Sequence, residues 1–343
     1  MKSAPRILIL KVNHLGDNIV FVPVVAALRQ CFPASPIAVV TSPVESELYA
    51  GIEGPTERFA PAIREVFNRQ WRRPWAAAQS WWQLRRFRAD ATLVSYDQAN
   101  FPHLLAKLTG GPIRVGANMR YVRVRGSITH EVPSPSDWNV VRWNWRMGEA
   151  LARQISPEVV WPAEPPPPDL RHLAPGAEPG SGPIVIHAGT KMVMRQWPLD
   201  RFAALAGRLA RDHAVVWVER PETSGVALPP GVTSVRPQSL GELAALVARA
   251  KLYVGNNSGP MHLANALGTP GVIVSGPSSY GWDPYWFRER WTVLRHPQLA
   301  CMPCESPATG VDFCGNTAAP LACLQYWTVD RVAAACQERL AQS

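Results

Sequence analysis

Two α/β domains, each a doubly wound parallel sheet, are predicted by three observations. Short apolar runs alternate with helical runs, a proline- and glycine-rich stretch interrupts that alternation near mid-chain, and 343 residues exceed what one hydrophobic core usually serves. Alternation of this kind calls for a parallel sheet covered on both faces. The composition, 47% hydrophobic and 18% charged, is that of a globular protein. No apolar run approaches the roughly 18 residues of a membrane span.

In chain order, residues 6–12 read as a strand, 19–32 as a buried helix, and 37–40 and 92–95 as further strands. The stretch WPAEPPPPDLRHLAPGAEPGSGP, residues 161–183, has no apolar periodicity and reads as a linker. Beyond it, strands at 184–187, 215–219, 252–255 and 271–275 alternate with helices at 199–211, 240–250 and 261–267. The expected division is a domain over 1–165, a linker over 166–182, a domain over 183–327, and a C-terminal helix over 328–343 returning to the first domain. Open α/β sheets bind ligands beyond the carboxyl ends of their strands, so chemistry is sought in a cleft between the two.

Three segments carry that chemistry. In KVNHLGDNIVFVPVVAALRQCFP, Lys11, Asn13, His14 and Asp17 crowd a strand end and helix start. Asp17 suits a helix N-cap, or a general base that takes a proton from an attacking hydroxyl. In VIHAGTKMVMRQWPLDRF, Gly189, Thr190, Lys191 and Arg195 precede a helix opened by Trp197–Pro198. Cations beside a helix start suit a diphosphate, although solvated loop charges would look the same. In LYVGNNSGPMHLANALGTPGVIVSGPSS, the turn at Asn257, Ser258 and Gly259 precedes Pro260 and a short helix bearing His262. Its amides would form an anion site or a plain structural turn. Glu219, ending VVWVE, is placed to accept hydrogen bonds from a ribose.

Taken in order and spacing, these segments resemble glycosyltransferase family 9, the ADP-heptose:lipopolysaccharide heptosyltransferases. The resemblance implies the GT-B fold, two Rossmann-like domains facing across a cleft. It also implies inverting sugar transfer from a nucleotide-sugar donor, ADP-heptose expected, with no cofactor required. It makes Asp17 the catalytic base, Arg195 a donor-phosphate contact, Glu219 a nucleoside contact, and Ser258 and Gly259 the diphosphate turn, with His262 on the same helix start. Thr190 and Lys191 join the donor side, while Lys11, Asn13 and His14 fall on the acceptor side. One departure stands out: the family usually reads G-N-D-S-G-P, and here Asn257 replaces the Asp, keeping hydrogen bonds but losing charge.

Cys301, Cys304, Cys314 and Cys323 could supply four thiolates to structural Zn or Fe, or remain reduced thiols or a disulfide. Some protein-modifying relatives of the family carry a metal-bound cysteine finger. From Arg58 to Arg88, eight arginines and a single acid, Glu65, interleave with Trp71, Trp75, Trp81 and Trp82. Such a face fits a phosphorylated acceptor, or peripheral contact with the anionic inner face of the cytoplasmic membrane, or simply a solvated helix. Net charge is +9, with most of the excess before residue 166. The N-terminus shows no signal-peptide pattern, so a cytoplasmic location is expected. The acceptor expected is an anionic glycolipid such as a lipopolysaccharide core. A protein acceptor is the first alternative; a non-catalytic, metal-stabilised nucleic-acid-binding module is the second, disfavoured because no nucleic-acid signature appears, and no nucleic-acid partner is expected.

Overall fold

The computed structural model describes residues 4–54, 56–59, 74–95, 100–109, 111–117, 122–134, 139–304 and 313–342. The chain divides into two compact units, Met1–Pro168 and Asp169–Ser343. The boundary lies at the end of the four-proline run, where ring-locked backbone without N–H groups can donate to neither a helix nor a ladder.

The first unit contains β1 (Ile7–Leu10), α1 (Leu15–Ile19), α2 (Val22–Cys31), β2 (Ile37–Val40), α3 (Pro43–Ser46), β3 (Thr56–Phe59), α4 (Pro74–Phe87), β4 (Ala91–Val94), α5 (Asn100–Thr109), β5 (Ile113–Gly116), β6 (His130–Glu131) and α6 (Val140–Ile155). All pairings are parallel, in the order β3-β2-β1-β4-β5-β6. β1, β2 and β4 are buried along their whole length, as central strands covered on both faces must be. The single helix expected over 19–32 is two. Pro23, in the first turn of α2, has no N–H to continue α1, and the Val24 amide turns instead to the Phe21 carbonyl at 3.0 Å.

The second unit contains β7 (Ile184–His187), α7 (Leu199–Leu209), β8 (Val215–Val218), β9 (Val232–Val235), α8 (Leu240–Arg249), β10 (Leu252–Asn256), α9 (Gly259–Ala266), β11 (Gly271–Val274), β12 (Trp291–Leu294), α10 (Ala322–Gln325) and α11 (Val329–Ala341). Its sheet is also parallel, ordered β12-β11-β10-β7-β8-β9. Both sheets reverse direction beside their first strand, between β1 and β4 and between β7 and β10. Neighbouring loops diverge at such a switch point and leave a crevice at the strand ends.

Two expectations need adjusting. The segment expected as a linker is ordered from residue 169 onward: Leu170 and Leu173 are buried, the turn Arg171–Leu173 packs on α8, and the Gly182 amide donates to Arg249 O at 2.7 Å. α11 packs on α7 and β11 within the second unit, burying Val332, Ala333 and Cys336, where the sequence reading returned it to the first domain. Its entry is fixed by Trp197, whose indole N–H donates to Trp327 O at 2.9 Å.

Of the basic aromatic stretch, residues 60–73 lie outside the described ones, with Arg64, Arg69, Trp71, Arg72 and Arg73 among them. At the end of α4, Leu84 and Phe87 enter the core, while Trp82 is 59% exposed with the Arg86 guanidinium 5.2 Å over its ring. Among the described residues no helix is long and apolar enough to cross a membrane.

Candidate active site

Each switch point carries one of the expected clusters. At the first, β1 is followed by Lys11, whose side chain is fully buried, reaching Asn13 Oδ1 at 3.1 Å and lying 5.6 Å from the centre of the Phe21 ring. A wholly buried ammonium shapes this turn from beneath and presents no surface to an acceptor. Asn13 is half-buried, His14 exposed, and Asp17 half-buried on the first turn of α1. His14, not Asp17, occupies the N-cap position, and it makes no side-chain capping bond.

The turn is clamped by Asn18, a residue the sequence reading passed over. Its Nδ2 donates to Asn13 O at 3.3 Å and to His14 O at 3.1 Å, and its Oδ1 accepts from Thr41 Oγ1 at 3.0 Å and Tyr49 Oη at 2.8 Å. Burial, and after it the Glu45 and Asp17 carboxylates, push the Tyr49 phenol well above its ordinary value. Tyr49 therefore stays a donor to Asn18.

In the second unit the loops after β7 and β10 are tied by one side chain. Buried Asn256 accepts from the Trp197 amide at 2.9 Å and donates to Ala188 O at 2.8 Å, so the loop carrying Gly189, Thr190, Lys191 and Arg195 is fixed to the turn before α9. Thr190 Oγ1 accepts from the Met192 amide at 3.3 Å, Lys191 is exposed, and Arg195 is half-buried in the short turn Val193–Arg195. At the head of α9, Ser258 caps with backbone only. Its hydroxyl turns to Asn256 O at 3.4 Å, and Pro260 supplies no N–H. The helix thus begins with main-chain amides at Ser258 and Gly259 and a positive dipole end that favours an anion. His262 is buried, its ring 6.3 Å from Trp282. Glu219 sits half-buried at the carboxyl end of β8, its amide donating to Val235 O at 2.8 Å. Asn257 is buried and donates to Asp283 Oδ1 at 3.3 Å.

With that geometry in view, residues 83–309 match the family described as glycosyltransferase family 9 (heptosyltransferase). The chain belongs to glycosyltransferase family 9. The "Lipopolysaccharide heptosyltransferase 3" of Escherichia coli is 23% identical over 305 residues, 79% of this chain and 83% of that protein. The structure of the E. coli heptosyltransferase WaaC with ADP superposes with a TM-score of 0.71 at 19% identity, over 97% of this chain and 99% of that one. An iron-containing dodecameric glycosyltransferase, TibC from enterotoxigenic E. coli, gives 0.61 at 16% identity, over 100% and 77% respectively. These superpositions show the GT-B fold, and family membership makes the protein a glycosyltransferase.

The four clustered cysteines lie close without converging. Burial first, and then the neighbouring thiols, push Cys304 upward and Cys323 to about 11. Cys304 donates to Cys301 O at 2.9 Å, while Cys314 Sγ accepts from the Leu321 amide at 3.3 Å. Among the described residues no three Cys, His, Asp or Glu side chains are grouped to hold a metal ion. Residues 305–312, between the second and third cysteines, lie outside the described ones.

Proposed function

We propose that this family 9 enzyme transfers heptose from ADP-heptose to a hydroxyl of a lipopolysaccharide core or a related anionic glycan, with inversion and without a catalytic metal. The observation that carries the reading is the turn at residues 256–259, which opens α9 with main-chain amides and is bolted through Asn256 to the loop bearing Lys191 and Arg195. A diphosphate leaving group gathers charge as the glycosidic bond breaks, and fixed amides, a helix dipole and two cations are worth most at that moment. Thr190 and Glu219 stand by the nucleoside and ribose. On the acceptor side Asp17 takes the proton of the attacking hydroxyl; Asn13 and His14 orient that hydroxyl, and Lys11 and Asn18 keep the turn in shape.

The acceptor surface assigned to the first unit is its arginine-rich stretch, which would also rest against an anionic membrane surface from the cytoplasmic side. A protein acceptor is the second reading, favoured by the proximity of the four cysteines. Mass spectrometry of candidate proteins after incubation with donor separates the two.

Calorimetry with ADP-, GDP- and UDP-sugars should show a single preferred nucleotide, ADP, in the wild-type protein. Asp17→Asn should lower kcat by about 100-fold or more, the scale of a general base, with donor affinity within about twofold. Near-normal turnover would remove Asp17 from the chemistry, and no binding to any nucleotide sugar would remove the reading as a whole.

A further inference from the structure

Position 257 holds an amide, yet a carboxylate stands against it. Asp283 ends a loop that folds over the head of α9: Ser279 caps the turn Tyr280–Trp282, and Trp282 meets the His262 ring. Asp283 Oδ1 receives both of its side-chain bonds, from Arg295 Nη2 at 2.6 Å and from Asn257 Nδ2 at 3.3 Å. Oδ2 accepts from no group among the described residues, and the side chain keeps 21% of its surface exposed. The Arg295 side chain is only 8% exposed; its Nη1 donates to Ser278 O, and its guanidinium lies 4.3 Å over Tyr280. Burial draws the Asp283 carboxyl upward, and Arg295 opposes it most strongly.

A carboxylate locked through one oxygen and open at the other, one side chain away from the diphosphate turn, is built to accept hydrogen bonds. We propose that Asp283 is a specificity-determining residue that reads hydroxyl groups of the donor sugar, with Arg295 and Asn257 as its positioning residues. The proposal rests on the donor site assigned above. Two features decide for a sugar and against the phosphates. An anion at this place repels phosphate oxygens, and a hydroxyl pair bonded to a charged acceptor is the polar contact that a neutral sugar can make there. Arg295 is occupied by Asp283, Ser278 and Tyr280, so the guanidinium serves the carboxylate.

The test compares wild type, Asp283→Asn, and the exchange Asn257→Asp with Asp283→Asn, measuring binding of ADP, ADP-heptose, ADP-mannose and ADP-glucose. D283N keeps the shape and an acceptor for Arg295, and thermal melting checks its fold. It should bind ADP within about twofold of wild type. Its Kd for the preferred ADP-sugar should rise about 10- to 100-fold, the worth of a hydrogen bond to a charged group, with discrimination among the sugars reduced. The exchange variant, which restores a carboxylate to the same pair of positions, should recover most of the lost affinity. Unchanged Kd and unchanged discrimination in both variants would overturn the role of Asp283 while leaving the donor site intact. Failure of the wild type to bind ADP or any ADP-sugar would overturn both.

Discussion

His187 closes β7 with 4% of its surface exposed, and burial, seconded by the Arg220 charge, lowers its pKa to about 4. Its folded value lies below its unfolded one, so the fold prefers the neutral ring. That contribution is complete above about pH 6.5, the unfolded value, and is lost as pH falls toward about 4. Between pH 6.5 and 5 it should remove about 2 kcal/mol of stability, at 1.36 kcal/mol per unit. Urea midpoints at the two pH values should diverge in wild type, and by less in His187→Asn. Sequence alone did not disclose this residue, because a histidine at a strand end says nothing of its surroundings until the strands on either side are placed. The same holds for Asn18 and Asp283. Asp283 is held by partners 12 and 26 positions away, and the Oδ1 of Asn18 by partners 23 and 31 positions away. Asp17 and the turn at 257–259 could be named as candidates because each lies within one local strand–turn–helix segment.

The elements of the second sheet set tighter limits than their apolar pattern suggests. Gly255 pairs with His187 on one side and Ile273 on the other. A Cβ at Gly255 would stand 2.7 Å from Tyr253 Oη and 2.9 Å from His187 O. The second of these atoms is main chain and cannot step aside. Gly255→Ala should therefore cost about 1–3 kcal/mol, the usual range for overpacking, and should weaken ADP binding because the turn at 256 follows directly. A urea titration and calorimetry on the same preparation check both. Four strands of this sheet, β7, β8, β10 and β11, were readable from runs of Val, Ile and Leu. β9 and β12 were not, since their residues are partly exposed and the pattern there is mixed. In the first unit the helix break at Pro23 and the two-residue β6 were missed for a similar reason. Proline in the first turn of a helix is as compatible with a new helix as with a continuing apolar face, and two residues carry no periodicity.

For the whole molecule, two compact units, each with its own parallel sheet, imply two cooperative transitions on heating. Differential scanning calorimetry should resolve them, and saturating ADP should raise one and leave the other in place, because a ligand stabilises the unit that holds its site. At 100 times Kd the shift corresponds to about 2.7 kcal/mol. A single transition moved as a block would show that the halves melt together. The two-domain α/β architecture was visible from the proline run and the alternation on either side of it. The extent of the ordered segment after Pro168 and the partner of α11 were not, since both depend on which apolar surface each segment finds.

The shared strand order has one more consequence. Numbered from its own first strand, each sheet reads 3-2-1-4-5-6, so the segment after β1 and the segment after β7 occupy the same topological address. One of these addresses carries Asp17 above the buried Lys11, and the other carries Lys191 and Arg195. A single chassis holds different charged groups in its two copies, which leaves each half free to change its ligand by loop substitutions without redrawing the frame of the other.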